Sequence, residues 1–105
     1  MKRIFFIKPL IGKLRSPTPP KVSYRKTRRH GIYKAHSGGR FHSKDEGITV
    51  EFYESEEVDP RSLTDYDAQL AGISTAEKLL ELFRRWYGDV PAKMYRNWLR
   101  VVEDA

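Results

Sequence analysis

The apolar residues change their spacing several times along the chain, and each spacing predicts a different element. Ile4-Phe-Phe-Ile7, inside Lys2–Lys8, is an unbroken apolar run of the length of a buried strand, which Lys8-Pro9 then breaks. Ser16-Pro-Thr-Pro-Pro20 predicts a stiff, extended connector, because its prolines have fixed φ and no N–H. Val22–Arg25 resumes a strand. Gly31–Ser43, with Gly38-Gly39 and several small polar residues, reads as a loop or an irregular hairpin. Gly47–Glu54 (GITVEFYE) is the clearest strand, with Val50 and Phe52 on one face and Thr49, Glu51 and Tyr53 on the other.

The period then changes. Thr64-Asp-Tyr-Asp67 places a threonine cap three residues before a carboxylate and opens a short helix, which Gly72 ends. Ser74-Thr-Ala-Glu77 repeats the device. Behind it Ala76, Leu79, Leu80, Phe83 and Trp86 fall on one helical face, and Gly88 occupies the terminating position. This predicts an amphipathic helix over about 75–87. In Tyr95–Val102 both alternating sets contain large apolar residues, so a strand covered on both sides is expected. The order is strand, basic loop, strand, helix, helix, strand. It predicts one α+β domain over residues 1–105, with connector 16–20 and basic loop region 21–44.

Charge changes this picture more than composition does. The 105 residues are 39% hydrophobic and 12% aromatic, which suits one small folded domain with exposed polar segments. Residues 1–44 hold 13 Lys and Arg and no acid, whereas residues 45–105 hold seven basic residues against all 14 acids, a local charge of −7. A split of this size makes a dipolar surface whose basic side concentrates polyanions. The absence of cysteine excludes disulfides and thiolate metal sites. Two basic residues before an apolar run resemble a secretory leader. Lys8-Pro9 interrupts it and no small-residue cleavage site follows, so a soluble cytoplasmic protein, monomeric by default, is expected.

LTDYDAQLAGISTAEKLLELFRRWYG (Leu63–Gly88), set between a strand and a closing segment ending in RVVE, resembles the ASCH family. The likeness spans roughly residues 48–103. It implies a small PUA-like β-barrel with two helices, one short and one amphipathic, and RNA as the partner, with DNA as an alternative polyanion. The family's functional motif, G-x-K-x-x-[ET]-x-R, sits near the N-terminus. Lys21 as the motif lysine puts Pro19 on the glycine, Tyr24 on the Glu/Thr position and Lys26 on the arginine. Lys26 as the motif lysine instead puts Arg29 on the Glu/Thr position and Gly31 on the arginine.

Three chemistries compete for the basic tract. In the first, an RNA-contacting surface, Lys21, Arg25, Lys26, Arg28, Arg29, Lys34 and Arg40 neutralise phosphates. Tyr24, Tyr33 and Phe41 offer rings on which unstacked bases rest. In the second, an enzyme, the resemblance implies a metal-independent ribonuclease or an amidohydrolase acting on acetylated cytidine, with Lys21 and Tyr24 as candidate catalytic residues. Tyr24 stands where the amidohydrolase needs threonine, and Ala71 falls where it needs an acid, so binding is the preferred reading. In the third, a metal site, His30, His36 and His42 recur every six residues. On a strand at ~3.3 Å per residue that spacing holds them too far apart for one zinc, so no metal and no cofactor is expected.

Overall fold

The computed structural model of the chain describes residues 2–17, 20–39 and 42–104. Five strands, β1 (Lys2–Phe5), β2 (Lys21–Arg25), β3 (Gly31–Ser37), β4 (Lys44–Val58) and β5 (Met94–Asp104), form one sheet in the order β1-β3-β4-β5-β2. Only β1 and β3 run parallel; the other neighbouring pairs are antiparallel. Among the described residues the edge strands β1 and β2 do not pair with each other, so the sheet stays open. Three helices complete an α+β fold: α1 (Lys8–Arg15), α2 (Asp65–Gln69) and α3 (Ala76–Tyr87). None of them is long and apolar enough to cross a membrane.

The 15-residue β4 is the spine of the sheet. Lys44–Phe52 pairs with β3, and Ile48–Val58 pairs with β5, so the same strand joins both halves. Its partnership with β5 slips at Thr49/Val50 and at Phe52/Glu54, and the second slip leaves Tyr53 outside the ladder. An extra residue of this kind bends a strand and re-aims the side chains around it. Val50 and Phe52 are buried and Tyr53 is exposed, as the alternation requires.

One expectation needs correction, and another is decided between its two alternatives. The described residues form three helices and not two, because α1 begins at Lys8-Pro9. Proline lacks the donor that the first helical turn leaves unused anyway, so here it opens a helix and does not merely end a strand. Leu10, Ile11 and Leu14 then share one buried face. Of the two readings of Gly31–Ser43, a loop or an irregular hairpin, the structure has the hairpin: Gly31–Ser37 lies between β1 and β4 and pairs antiparallel with β4, with a register shift at Ala35/His36. Partners on both edges satisfy its backbone, and the buried pair Tyr33 and Ala35 supplies the alternation that the flanking small polar residues mask.

Between β4 and β5 the helical segment follows its caps. The Thr64 N–H donates to Asp67 Oδ2 (2.8 Å) while the Asp67 N–H donates to Thr64 Oγ1 (3.2 Å), a reciprocal capping box at α2. Thr75, one residue later than expected, caps α3 by accepting from the Lys78 N–H (3.2 Å). Asp65 of α2 also accepts from the Ala76 N–H at 2.8 Å, which ties the two helices together. Gly72 (φ +83°) makes the turn between them, and its Cα lies so close to the Pro9 carbonyl that a Cβ would collide with it. Gly88 (φ +82°) ends α3, donating its N–H to Arg84 O at 2.8 Å.

Packing produces two cores. Ile4, Phe6, Leu10, Ile11 and Leu14 close over Tyr33, Ala35, Ile48, Val50, Phe52 and Leu99. Val22, Tyr24 and Met94 pack with Ala68, Leu70, Ala71, Ile73, Leu79 and Phe83. Ile7 touches both cores and so lies at the seam between them.

Candidate functional site

β2 is held on both sides. It pairs with β5 from Lys21↔Leu99 to Arg25↔Tyr95, and on its other edge the Val22 N–H donates to Leu70 O at 3.1 Å. The strand therefore lies at the seam of the two cores, and a cleft of about 260 Å³ opens beside it. Phe6 and Leu10 line this cleft from the first core, and Tyr24, Leu79 and Phe83 from the second. Trp86 (44% exposed) and Tyr87 (37% exposed) also line it, meeting edge to face at 6.4 Å between centroids.

Among the described lining residues, one is a cation, Arg25. The Arg25 guanidinium donates to Phe5 O (2.6 Å) and Ser23 Oγ (3.0 Å), and lies 5.4 Å from the centre of the Phe6 ring. Burial, reinforced by the neighbouring charge of Arg29, lowers its pKa to about 10, so it stays positive at neutral pH. Lys26 extends the positive charge outward, with its ammonium 5.1 Å from the centre of the Tyr87 ring. Burial raises the Tyr87 phenol, with Arg25 pulling the other way, so that ring is neutral at pH 7. Among the described residues the lining contains no carboxylate and no imidazole. Such a site can stack a planar ring and donate hydrogen bonds to it, but it holds no carboxylate–histidine machinery for proton transfer.

No family model, curated protein or solved structure matches the chain.

The two candidate catalytic residues are not brought together. Tyr24 lines the cleft, but its hydroxyl is committed, donating to Asp67 O at 2.9 Å. Burial, against the opposing pull of Arg96, raises the phenol to about 12, so it is fully protonated at neutral pH. Lys21 is also mostly buried, yet it lines a different depression with Leu14, Pro20, Tyr53, Leu99 and Arg100. Burial and then the charge of Lys13 lower its ammonium below the ordinary lysine value.

The remaining binding candidates divide by environment. Tyr33 is buried, standing edge-on to Phe52 at 5.5 Å, and offers no free face to a base. Lys34 is half-buried on β3 beside Arg3 of β1. Arg28 is exposed, donating to Ser55 O (2.8 Å) and lying 4.6 Å from the centre of the Tyr95 ring. Arg29 is half-buried next to it. Arg40 and Phe41 lie outside the described residues. Of the histidines, His30 and His42 are exposed, while His36 is buried against Phe5 with 5.9 Å between ring centres.

Sequence reasoning missed three groups of residues that shape this region. Trp86 and Tyr87 belong to a helix whose periodicity put Trp86 in the core; the Trp86 ring does meet Phe83 but stays half-exposed and lines the cleft. Asn97 is fully buried, accepting from the Arg29 N–H (2.9 Å) and donating to Thr27 O (3.2 Å), and so fixes the loop 26–30. Its signal was present, since Asn97 alternates with Tyr95, Leu99 and Val101 at positions that should be apolar. Arg96 bridges Glu56 (2.7 Å) and Asp67 (2.9 Å) and binds β5 to both β4 and α2. Nothing in its sequence neighbourhood distinguishes it from other strand arginines.

Proposed function

We propose that the protein is a nucleic-acid-binding module that takes single-stranded RNA, with one unstacked base entering the cleft and stacking on Trp86. The observation that carries this reading is the aromatic cleft lined by the charged Arg25 and lacking any carboxylate or imidazole. Its volume, about 260 Å³, lies below the ~300–1,000 Å³ typical of pockets for drug-sized ligands, which suits a single base. The surrounding cations Lys26, Arg28 and Arg29 supply sequence-independent attraction to the strand.

The fold reading that accompanies this function is a member of the ASCH family with PUA-like architecture, working in the cytoplasm. Its supports are the Thr64–Asp67 capping box, the Gly72 turn, the αL glycine at Gly88 and a β4 that serves both halves of the sheet. Titrating short oligoribonucleotides while following tryptophan fluorescence tests the function. Binding weakens steeply with salt, and Trp86→Ala costs ~1–3 kcal/mol, or about 5- to 150-fold in affinity, as loss of one stacked base does. Absence of RNA or DNA binding at low salt sinks the proposal.

A second reading, metal-independent cleavage of RNA or hydrolysis of a modified nucleoside such as acetylated cytidine, draws on Lys21, whose burial favours the neutral amine a general base needs. RNA cleavage in EDTA that disappears in Lys21→Ala would put this reading first. Release of acetate from acetylated cytidine is not expected, because Tyr24 is protonated and hydrogen-bonded away from the cleft.

A further inference from the structure

The loop between β2 and β3 has a second side. Arg28, Arg29 and His30 face the bulged segment Tyr53-Glu54-Ser55 of β4 across a depression of about 260 Å³ that is separate from the aromatic cleft. Two of its liners carry an unusual feature. Arg29 Nε and Ser55 Oγ are buried polar atoms without a hydrogen-bond partner among the described residues. A buried donor left unpaired costs ~1–3 kcal/mol, so two in one depression need an explanation.

The segments that carry them are fixed. Asn97 clamps the loop at the Arg29 N–H and the Thr27 carbonyl, and Arg28 holds Ser55 O at 2.8 Å from the other side. The Tyr95 ring supports the Arg28 guanidinium at 4.6 Å. Tyr53, displaced from the ladder by the bulge, has Arg100 5.3 Å from its ring centre. Two donors without acceptors, flanked by a second arginine and a histidine, match one oxyanion with several oxygens. Among the described liners Glu54 is the single carboxylate, and it is exposed.

We propose that this depression binds one phosphate group, with Arg29 Nε and Ser55 Oγ donating to its oxygens, Arg28 supplying charge and His30 offering a ring N–H. The proposal rests on the RNA-binding reading for its ligand, a phosphate of the bound strand. Arg29 also lies close enough to Arg25 to lower its pKa, so phosphate in the depression and a base in the cleft belong to one continuous basic loop.

The test begins with inorganic phosphate alone, titrated at constant ionic strength against the isotope-labelled protein. Amide signals of residues 28–31 and 53–55 shift and saturate, and Arg29→Gln or Ser55→Ala weakens that saturation at least five-fold. Lys78→Gln, on the outer side of α3, leaves it unchanged and controls for net charge. Trp86→Ala also leaves it unchanged, which separates this site from the cleft. With oligoribonucleotides, Arg29→Gln lowers the slope of log affinity against log salt by about 0.7, the value for one phosphate of a single strand. Oligonucleotides with and without a 5′-phosphate separate an internal phosphodiester, for which Arg29→Gln acts on both equally, from a terminal phosphate. Phosphate shifts without RNA binding would leave this site standing and remove the RNA reading. RNA binding with no localised phosphate shift and an unchanged salt slope in Arg29→Gln would overturn the site alone.

Discussion

Replacing Arg96 by methionine tests the joint on which the second core depends. Arg96 donates from Nε to Glu56 Oε1 at 2.7 Å and from Nη1 to Asp67 Oδ1 at 2.9 Å, and only 18% of its side chain is exposed. Glu56 also accepts from Trp98 Nε1 at 3.0 Å, while Asp67 completes the α2 capping box and receives the Tyr24 hydroxyl on its carbonyl. One guanidinium thus joins β5, β4, α2 and, through Tyr24, β2.

Methionine keeps most of the aliphatic packing, so the loss falls on the two charge-assisted bonds. Such bonds contribute ~1.5–3 kcal/mol each when shielded. The Asp67 side chain is 21% exposed and belongs near the middle of that range, whereas Glu56, at 45%, is discounted for solvent screening. We expect ~2 kcal/mol for the Asp67 contact and ~1 for Glu56, about 3 in total, or a melting temperature lower by roughly 15 °C for a domain of this size. Urea unfolding of Arg96→Met, Asp67→Asn and the double variant measures this directly, with the cycle isolating the Arg96–Asp67 coupling. Arg100→Met, which removes an ion pair on a 62%-exposed side chain, is the comparison and costs below about 1 kcal/mol. A total loss for Arg96→Met no larger than that of Arg100→Met, or a coupling indistinguishable from zero, would refute the reasoning.

Three other expectations come from single residues. Arg96 and then Trp98 hold the Glu56 carboxyl below its ordinary value. Burial opposes the Asp67 carboxylate, but Thr64 and Arg96 outweigh it and lower that group too. Because both pKa values are depressed on folding, their stabilisation is complete above the ordinary carboxylate range and is lost as pH falls through and below it. Unfolding free energy therefore declines below about pH 4.5 in wild type and less steeply in Asp67→Asn, measured by urea titration at several pH values. Gly72→Ala forces a side chain into positive φ and against the Pro9 carbonyl, and should cost ~2 kcal/mol or more by thermal denaturation. Asn97→Leu leaves the Arg29 N–H and Thr27 carbonyl without their partner; it should cost ~2 kcal/mol and accelerate amide exchange over residues 26–30.

What the sequence alone determined was local. The caps at Thr64 and the stop at Gly88 were legible because a helix end needs a side-chain acceptor or an αL residue within a few positions of itself. The Val50–Phe52 alternation was legible because strand faces have a fixed period of two. α1 was hidden for the converse reason. Its start at Lys8-Pro9 has the same residues as a strand stop, and only Leu10, Ile11 and Leu14 packing on β1, β3 and β4 decides between them. The basic character of residues 21–44 was likewise visible as a count, but the division of labour within it was not. Tyr24 and Tyr33 look alike in the sequence as rings among cations. Tertiary structure buries both, one beneath α3 and one against Phe52, and leaves Trp86 and Tyr87 half-exposed at the cleft. That cleft exists because two cores, each drawing residues from both halves of the chain, meet beside β2. No local pattern records the seam, because the residues that form it, from Phe6 to Tyr87, come together only when the sheet order β1-β3-β4-β5-β2 is in place.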